Sequence, residues 1–266
     1  MKIALQEGLL PGDTLAEKLD FAETIGVEGV EIAGWGKPAE KVAELEKAFH
    51  GRKIKFASIC GQTTFDWLDP DPKKREASIA ETKRNLEACG HLGGAGCIVP
   101  PIFGPPRINN LLPFADAVTL EKKLLALIVK DLAEHARKHK TLLLLEPLNR
   151  YEQHLLRKQS DGVEIIRKAG NPKGVALLSD FFHMHIEEID TPTAFRKAGK
   201  HVAHVHLADN TRLEPGSGDI DWRAGMKALK DIKFRGYMAY ECSLSGDKAK
   251  TLTKSVNFLR EIIASV

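Results

Sequence analysis

Eight short apolar, β-prone runs with amphipathic stretches between them, in a chain of 266 residues, predict an α/β protein of the (β/α)8 TIM barrel class in one domain, 1–266. Alternating strands and helices imply parallel strands joined by right-handed crossovers, and eight such units in about 250 residues let the sheet close on itself. The composition agrees, since 43% hydrophobic and 28% charged residues can bury a large core and are not those of a disordered chain.

The first run, KIALQ at 2–6, is followed by TLAEKLDFAETIG, whose apolar residues recur at helical spacing. GVEIAG (29–34) and IKFASIC, which ends at Cys60, have strand composition and are bounded by turn or helical residues. GCIVPP, ending at Pro101, follows the glycine cluster HLGGAGC (91–97), which reads as a helix stop. No GxGxxG follows an early strand, so an open doubly wound sheet lacks its signature. LEKKLLALIVKDLAEHARKHK is the helix that precedes TLLLLE (141–146), whose unbroken leucines suit a strand covered by protein on both faces. GVALLSD (174–180), HVAHVHLAD (201–209) and GYMAYEC (236–242) complete the set.

The charge distribution limits the function classes. The net charge is +3, with 39 basic and 36 acidic residues interspersed, which gives no basic stripe for nucleic acid. Cys60, Cys89, Cys97 and Cys242 form no CxxC pair, which fits reduced thiols and a cytoplasmic location. Met1 leads into no signal-like pattern, and no apolar segment approaches the roughly 18 residues of a membrane span.

Active sites of such barrels sit at the carboxyl ends of the strands. Glu146, Asp180, His206 and Glu241 end four consecutive predicted strands. Three acids gathered at a barrel mouth repel one another unless a cation neutralises them, so these residues are candidate ligands of one divalent ion. Three oxygens and one imidazole suit Mn²⁺, Mg²⁺ or Co²⁺ better than a thiolate-rich zinc site. Strand alternation sends Cys242 to the face opposite Glu241, and places His204 on the side of His206 but one layer deeper, as a hydrogen-bonded core histidine.

LEPLNRYE, SDFFHMHIEE, HVHLADNTRLEPGSGDIDW and YEC together resemble the ketose 3-epimerases, typified by D-tagatose and D-allulose 3-epimerase, within the xylose-isomerase-like sugar isomerases and epimerases. The match spans roughly residues 141–242, with compatible strand order before it. The resemblance implies a divalent metal, Mn²⁺ above others, on Glu146, Asp180, His206 and Glu241, and sugar contacts from Glu152, His183 and Arg212. It also implies a homo-oligomer, dimer or tetramer, acting on a small-molecule sugar. The chemistry is coherent. Inverting C3 of a 2-ketose through an enediolate needs one carboxylate on each face of the carbon, and Glu146 and Glu241 come from well-separated strands.

His183, three residues after Asp180, is also a possible fifth ligand, whereas His185 reads as structural or exposed. PGSG (215–218) lacks the GK[ST] of a phosphate loop but could present N–H groups, which leaves a phosphorylated ketose open. Trp35, Phe65 and Trp67 fall in loops after the second and third strands, where they could stack on a sugar, form a lid or meet a subunit partner. Alternatives on the same scaffold are an aldose–ketose isomerase of the hydroxypyruvate isomerase type and an inosose-type dehydratase. The DNA-repair barrels that carry a zinc cluster need further histidines, which the ends of the third and fourth strands lack.

Overall fold

A computed structural model describes residues 1–266. Eight parallel strands form a closed barrel in chain order, β1 (Lys2–Gln6), β2 (Gly29–Ala33), β3 (Lys55–Cys60), β4 (Gly96–Val99), β5 (Leu142–Leu145), β6 (Val175–Asp180), β7 (Val202–Leu207) and β8 (Tyr237–Tyr240), with β8 pairing back to β1. The helices are α1 (Leu15–Thr24), α2 (Val42–Phe49), α3 (Pro72–His91), α4 (Ala117–Lys138), α5 (Gln159–Lys168), α6 (Phe181–Glu187), α7 (Thr191–Ala198), α8 (Trp222–Asp231) and α9 (Lys248–Ser265). None is long and apolar enough to cross a membrane. Helix starts are fixed locally: Thr14 and Glu17 form a capping box on α1, and Asp116, Asp190, Asp221 and Asp247 cap α4, α7, α8 and α9 with their carboxylates.

The alternation of side chains decides what fills the barrel. In β5 the buried Leu143 and Leu145 join the large annular core between strands and helices, while Leu144 packs inside with Cys60, Ile98, Ala176 and Leu178. A second small cluster of Ala4, Ala57 and Ala239 also lies apart from that annulus. The small side chains leave room for the bulkier neighbours that share the layer. Two register shifts modify the rule, one between Val30 and Glu31 against β3 and one between Leu177 and Leu178 against β7. Such bulges re-aim side chains, and these two fall beside Glu31 and His204.

The ladders stop slightly earlier than the sequence predicts. Glu146 and Glu241 lie one residue beyond β5 and β8, although the Glu241 N–H still donates to the Leu207 carbonyl at 3.2 Å. The unexpected element is α6, which starts directly on β6 because Asp180 is both the strand's last residue and the helix cap, accepting from the Phe182 N–H at 2.8 Å.

Leu144 is fully buried inside the barrel, two positions below Glu146. Leu144→Ala should lower stability by about 2–5 kcal/mol through lost burial and a residual cavity. The exposed Leu127→Ala should stay within roughly 0.5 kcal/mol. Urea unfolding followed by circular dichroism compares the two.

Candidate active site

Glu146, Asp180, His206 and Glu241 converge at the carboxyl end of the barrel, and each offers a ligand atom within 4.8 Å of the others. Asp180 and His206 are fully buried and Glu146 nearly so. Arg212, from the loop after β7, donates to the Asp180 carboxylate at 2.5 Å and to Glu241, and thereby spreads positive charge over both acids. Its backbone is left-handed, with φ of 58°, a conformation that costs a non-glycine residue about 1–2 kcal/mol. The loop is held in that shape by bonds from Arg212 N–H to the Asp209 carbonyl and from Ser243 N–H to the Arg212 carbonyl, both 2.9 Å.

Beneath these residues lies a carboxylate that the sequence reasoning missed. Glu31 of β2 is fully buried and accepts from His206 Nε2 and His204 Nε2 at 3.0 Å each, from Ser58 Oγ at 2.6 Å and from Gln6 Nε2 at 3.0 Å. Burial alone would push its carboxyl up, but the two histidines outweigh that and hold it well below the usual carboxylate range. A signal was available: a barrel strand has no solvent face, so an acid in mid-strand between Val30 and Ile32 has to face the interior. The structure places His204 in the inner layer that alternation assigned to it, and Cys242 packs against the outer core, away from Glu241.

The donors fit a divalent cation. Since His206 Nε2 is committed to Glu31, its Nδ1 is the atom turned to the mouth, 3.0 Å from Glu241 Oε2 and 3.7 Å from Glu146 Oε1. Both His206 Nδ1 and Glu146 Oε1 are buried without a hydrogen-bond partner, and a metal ion would satisfy both. The two flanking acids differ electrostatically. Burial, helped by the Glu241 charge, raises the Glu146 carboxyl. Burial acts on Glu241 in the same sense, but His206 and Arg212 outweigh it and hold that carboxyl far below the usual range.

His183 reaches the same mouth from α6, with Nε2 3.6 Å from Asp180 and 4.0 Å from Glu146. Its Nδ1 accepts from the Asn149 N–H at 3.3 Å and lies 2.8 Å from Asn149 Nδ2, whose orientation is set because Asn149 Oδ1 accepts from the Tyr151 N–H. The proton therefore sits on Nε2, which makes His183 a donor into the site and removes it as a fifth ligand. Asn149 Nδ2 also donates to Glu152 at 2.8 Å, so one side chain positions both. Arg150, left without a task by the sequence, ties this loop to α6 through Glu187 at 2.7 Å.

Glu146, Glu152, His183, Arg212 and Glu241 line a cavity of about 140 Å³ with Trp35, Cys60, Gly61, Phe65, Pro100, Phe103 and Leu148. Phe65 and Phe103 meet edge to face at 4.9 Å, and Phe103 is a lining residue that the sequence did not single out. Trp67 corrects an expectation: it is buried with its indole N–H on Thr82 Oγ1 and is a core residue, not part of a rim. In the PGSG loop two of the three amides, those of Gly216 and Ser217, are used internally. Gly216 and Ile220 donate to the Asp209 carboxylate, Asp219 to Asn210 Oδ1 and Ser217 to the Glu214 carbonyl. A larger cleft of about 610 Å³ lies outside the barrel between α5 and α7 and contains none of the four converging residues.

The long loop before α4 is fastened to the loop after β5. Gly104 N–H donates to the Glu152 carbonyl at 2.7 Å, and His154 bridges the Gly104 carbonyl (2.9 Å) and Glu121 Oε2 (2.6 Å). Glu121, fully buried, also accepts from the Arg107 and Ile108 amides. Burial lowers the His154 pKa, but Glu121 and the Gly104 carbonyl outweigh it and raise it above 6.5. Burial likewise raises Glu121, and His154 with the two amides brings it below 4.5. A raised histidine stabilises fully below its unfolded value and loses that contribution as pH rises through its folded value. A lowered carboxylate contributes above its unfolded value and fails as pH falls through its folded one, so the pair acts fully between about pH 4.5 and 6.5.

A model of the xylose isomerase-like TIM barrel family matches residues 19–262, and the chain belongs to that family. It is 30% identical over 265 residues to the 3-dehydro-D-guloside 4-epimerase of Escherichia coli (strain K12), covering 98% of this chain and 99% of that enzyme. It is 34% identical over 226 residues to a D-psicose 3-epimerase of Ruminiclostridium cellulolyticum, covering 82% and 74%. A solved structure of 3-keto-D-glucoside 4-epimerase from E. coli in its apo form superposes with a TM-score of 0.88 at 29% identity, over 98% of this chain and 99% of that one.

Two outcomes follow from the site's geometry. Glu31→Gln keeps volume but sets an amide donor against one of two histidine N–H groups, and should weaken Mn²⁺ binding about 10–100-fold in a chelator competition titration, with the fold unchanged by circular dichroism. Exchange protection of the Arg107 and Ile108 amides, corrected for intrinsic rates, should fall as pH rises through the His154 pKa, and the same profile should be flat in His154→Gln.

Proposed function

We propose that this chain, a sugar epimerase of the xylose isomerase-like family, is a metal-dependent ketose 3-epimerase that inverts the hydroxyl-bearing carbon beside a ketone through a cis-enediolate. The observation that carries the reading is the convergence of two carboxylates just past β5 and β8, Glu146 and Glu241, with Glu146 Oε1 and His206 Nδ1 buried and unpartnered as at a cation site. One divalent cation, Mn²⁺ foremost, would be held by Glu146, Asp180, His206 and Glu241 and would lower the energy of the oxyanion charge that develops when the carbon acid ionises.

The chain's own groups supply the rest. One glutamate takes the proton from one face of the carbon and the other returns a proton to the opposite face. The His183 Nε2–H and the Arg212 guanidinium, both on the cavity wall, donate to sugar oxygens and restrain the ketone in the plane the enediolate needs. Glu152 accepts from a hydroxyl at the far end of the sugar, steadied by Asn149. Trp35, Phe65 and Phe103 give the carbon skeleton an apolar face and keep water from the intermediate. The use of the Gly216 and Ser217 amides inside their own loop favours an unphosphorylated substrate.

Full-length similarity supports a second reading with the same chemistry, inversion at C4 of a 3-keto-hexoside: the alignment takes in 99% of the E. coli 4-epimerase but 74% of the D-psicose 3-epimerase. Only the placement of the sugar over the two glutamates separates them. Incubation of the Mn²⁺-loaded enzyme in deuterated water with D-allulose, D-tagatose, L-ribulose, their phosphates and methyl 3-keto-glucoside, read by NMR, distinguishes the cases. Epimer and deuterium at C3 of a free ketose fit the first reading, and at C4 of the keto-glycoside the second. An aldose product means an isomerase, loss of water a dehydratase, and no labelled product from any substrate removes the epimerase reading. Glu146→Gln and Glu241→Gln should each lower turnover by about 10²–10⁴-fold.

A further inference from the structure

A second constellation of metal-competent side chains lies far from the mouth. His135 and His139 are four residues apart at the end of α4, so their imidazoles share one face, with ring centroids 4.7 Å apart and planes 33° from parallel. Glu87 of α3 faces them, and the three groups offer ligand atoms within 4.8 Å of one another. Because the helices return antiparallel to the strands, the carboxyl ends of α3 and α4 lie at the end of the barrel opposite Glu146 and Glu241.

We propose that Glu87, His135 and His139 form a separate surface site for a borderline divalent ion, with Zn²⁺ the representative ligand. Two observations beyond proximity support it. His135 Nε2 is buried yet has no hydrogen-bond partner, because Glu87 Oε1, although 3.0 Å away, is out of line with it. The supporting backbones are also in close contact: a Cβ on Gly90 would come 2.0 Å from the His139 carbonyl, so the ends of α3 and α4 pack directly on each other. The spacing of two histidines at i and i+4 matches helical zinc-binding pairs, and the ligand atoms of Glu87, His135 and His139 lie within 4.8 Å of one another, with Glu87 and His139 exposed. Helix carboxyl ends carry partial negative charge, which favours a cation here.

The donor set also separates this site from the mouth by metal preference. Two imidazoles and one carboxylate favour Zn²⁺, Ni²⁺ or Cu²⁺ and discriminate against Mg²⁺ and Mn²⁺, which the oxygen-rich mouth suits. Three protein ligands leave room for water, and an ion bound there clamps α3 to α4 without touching a substrate. Its stabilisation grows with free metal concentration as for any ligand of the folded state alone. The proposal does not rest on the epimerase reading.

Metal-stripped full-length protein, dialysed to equilibrium against Zn²⁺, should bind one more ion per chain than His139→Ala or Glu87→Gln, whatever number the mouth takes up. In the wild type the ring proton resonances of His135 and His139 should shift with added Zn²⁺ and stay in place with equimolar Mg²⁺. Equal zinc content in the wild type and both variants, or histidine resonances that do not respond to Zn²⁺, would reduce the cluster to an ion pair between His135 and Glu87 and overturn the proposal.

Discussion

In a closed parallel barrel every second strand residue points inward, and the candidate site depends on that constraint. Leu144 and Glu146, Leu178 and Asp180, His204 and His206, and Ala239 and Glu241 are each two positions apart, so an apolar or buried layer lies below each of the four mouth residues. A slip of one residue in any of these strands would move its mouth residue into the annular core among the helices. Register and chemistry are specified by the same contacts.

Glu31 is the polar element of that interior with the most partners. Its two oxygens bind separate histidines, Oε1 to His206 and Oε2 to His204, so a single carboxylate sets the ring orientation of both. Isolated in the barrel, such a charge would be costly; with Ser58 and Gln6 added it is saturated. Gln6 also donates to Glu241 Oε1 at 3.1 Å, which connects the buried acid to the mouth through one amide. The imidazole atom that faces the mouth is thus defined from below by the strands.

Fold and candidate site were legible in the sequence to different depths. The barrel and the positions of Glu146, Asp180, His206 and Glu241 follow from apolar runs that end in polar residues, because strand periodicity is written directly in local sequence. Glu31 was overlooked since an acid at an alternate strand position usually marks a solvent face, and a barrel has none. Trp67 and Phe103 went the other way, one buried and one on the cavity wall, because loops carry no periodicity that assigns a side. The His183 tautomer depends on Asn149, thirty-four positions away, and Arg212 depends on a left-handed backbone held by Asp209 and Ser243. The contacts from Asn149 and Ser243 span about thirty positions and have no local signature.

The link between Gly104 and the segment around Glu152 has a consequence for how this scaffold can diversify. The loop before α4 and the loop after β5 are joined by a short bridge of parallel β-type pairing, Gly104 to Gln153, and locked by His154 between Gly104 and Glu121. The wall of the cavity that holds Phe103 and the wall that holds Glu152 are therefore structurally one connected unit. A graft of either loop alone would leave Glu121 or Glu152 without its backbone partner, so changes in sugar preference along this edge should travel as paired segments.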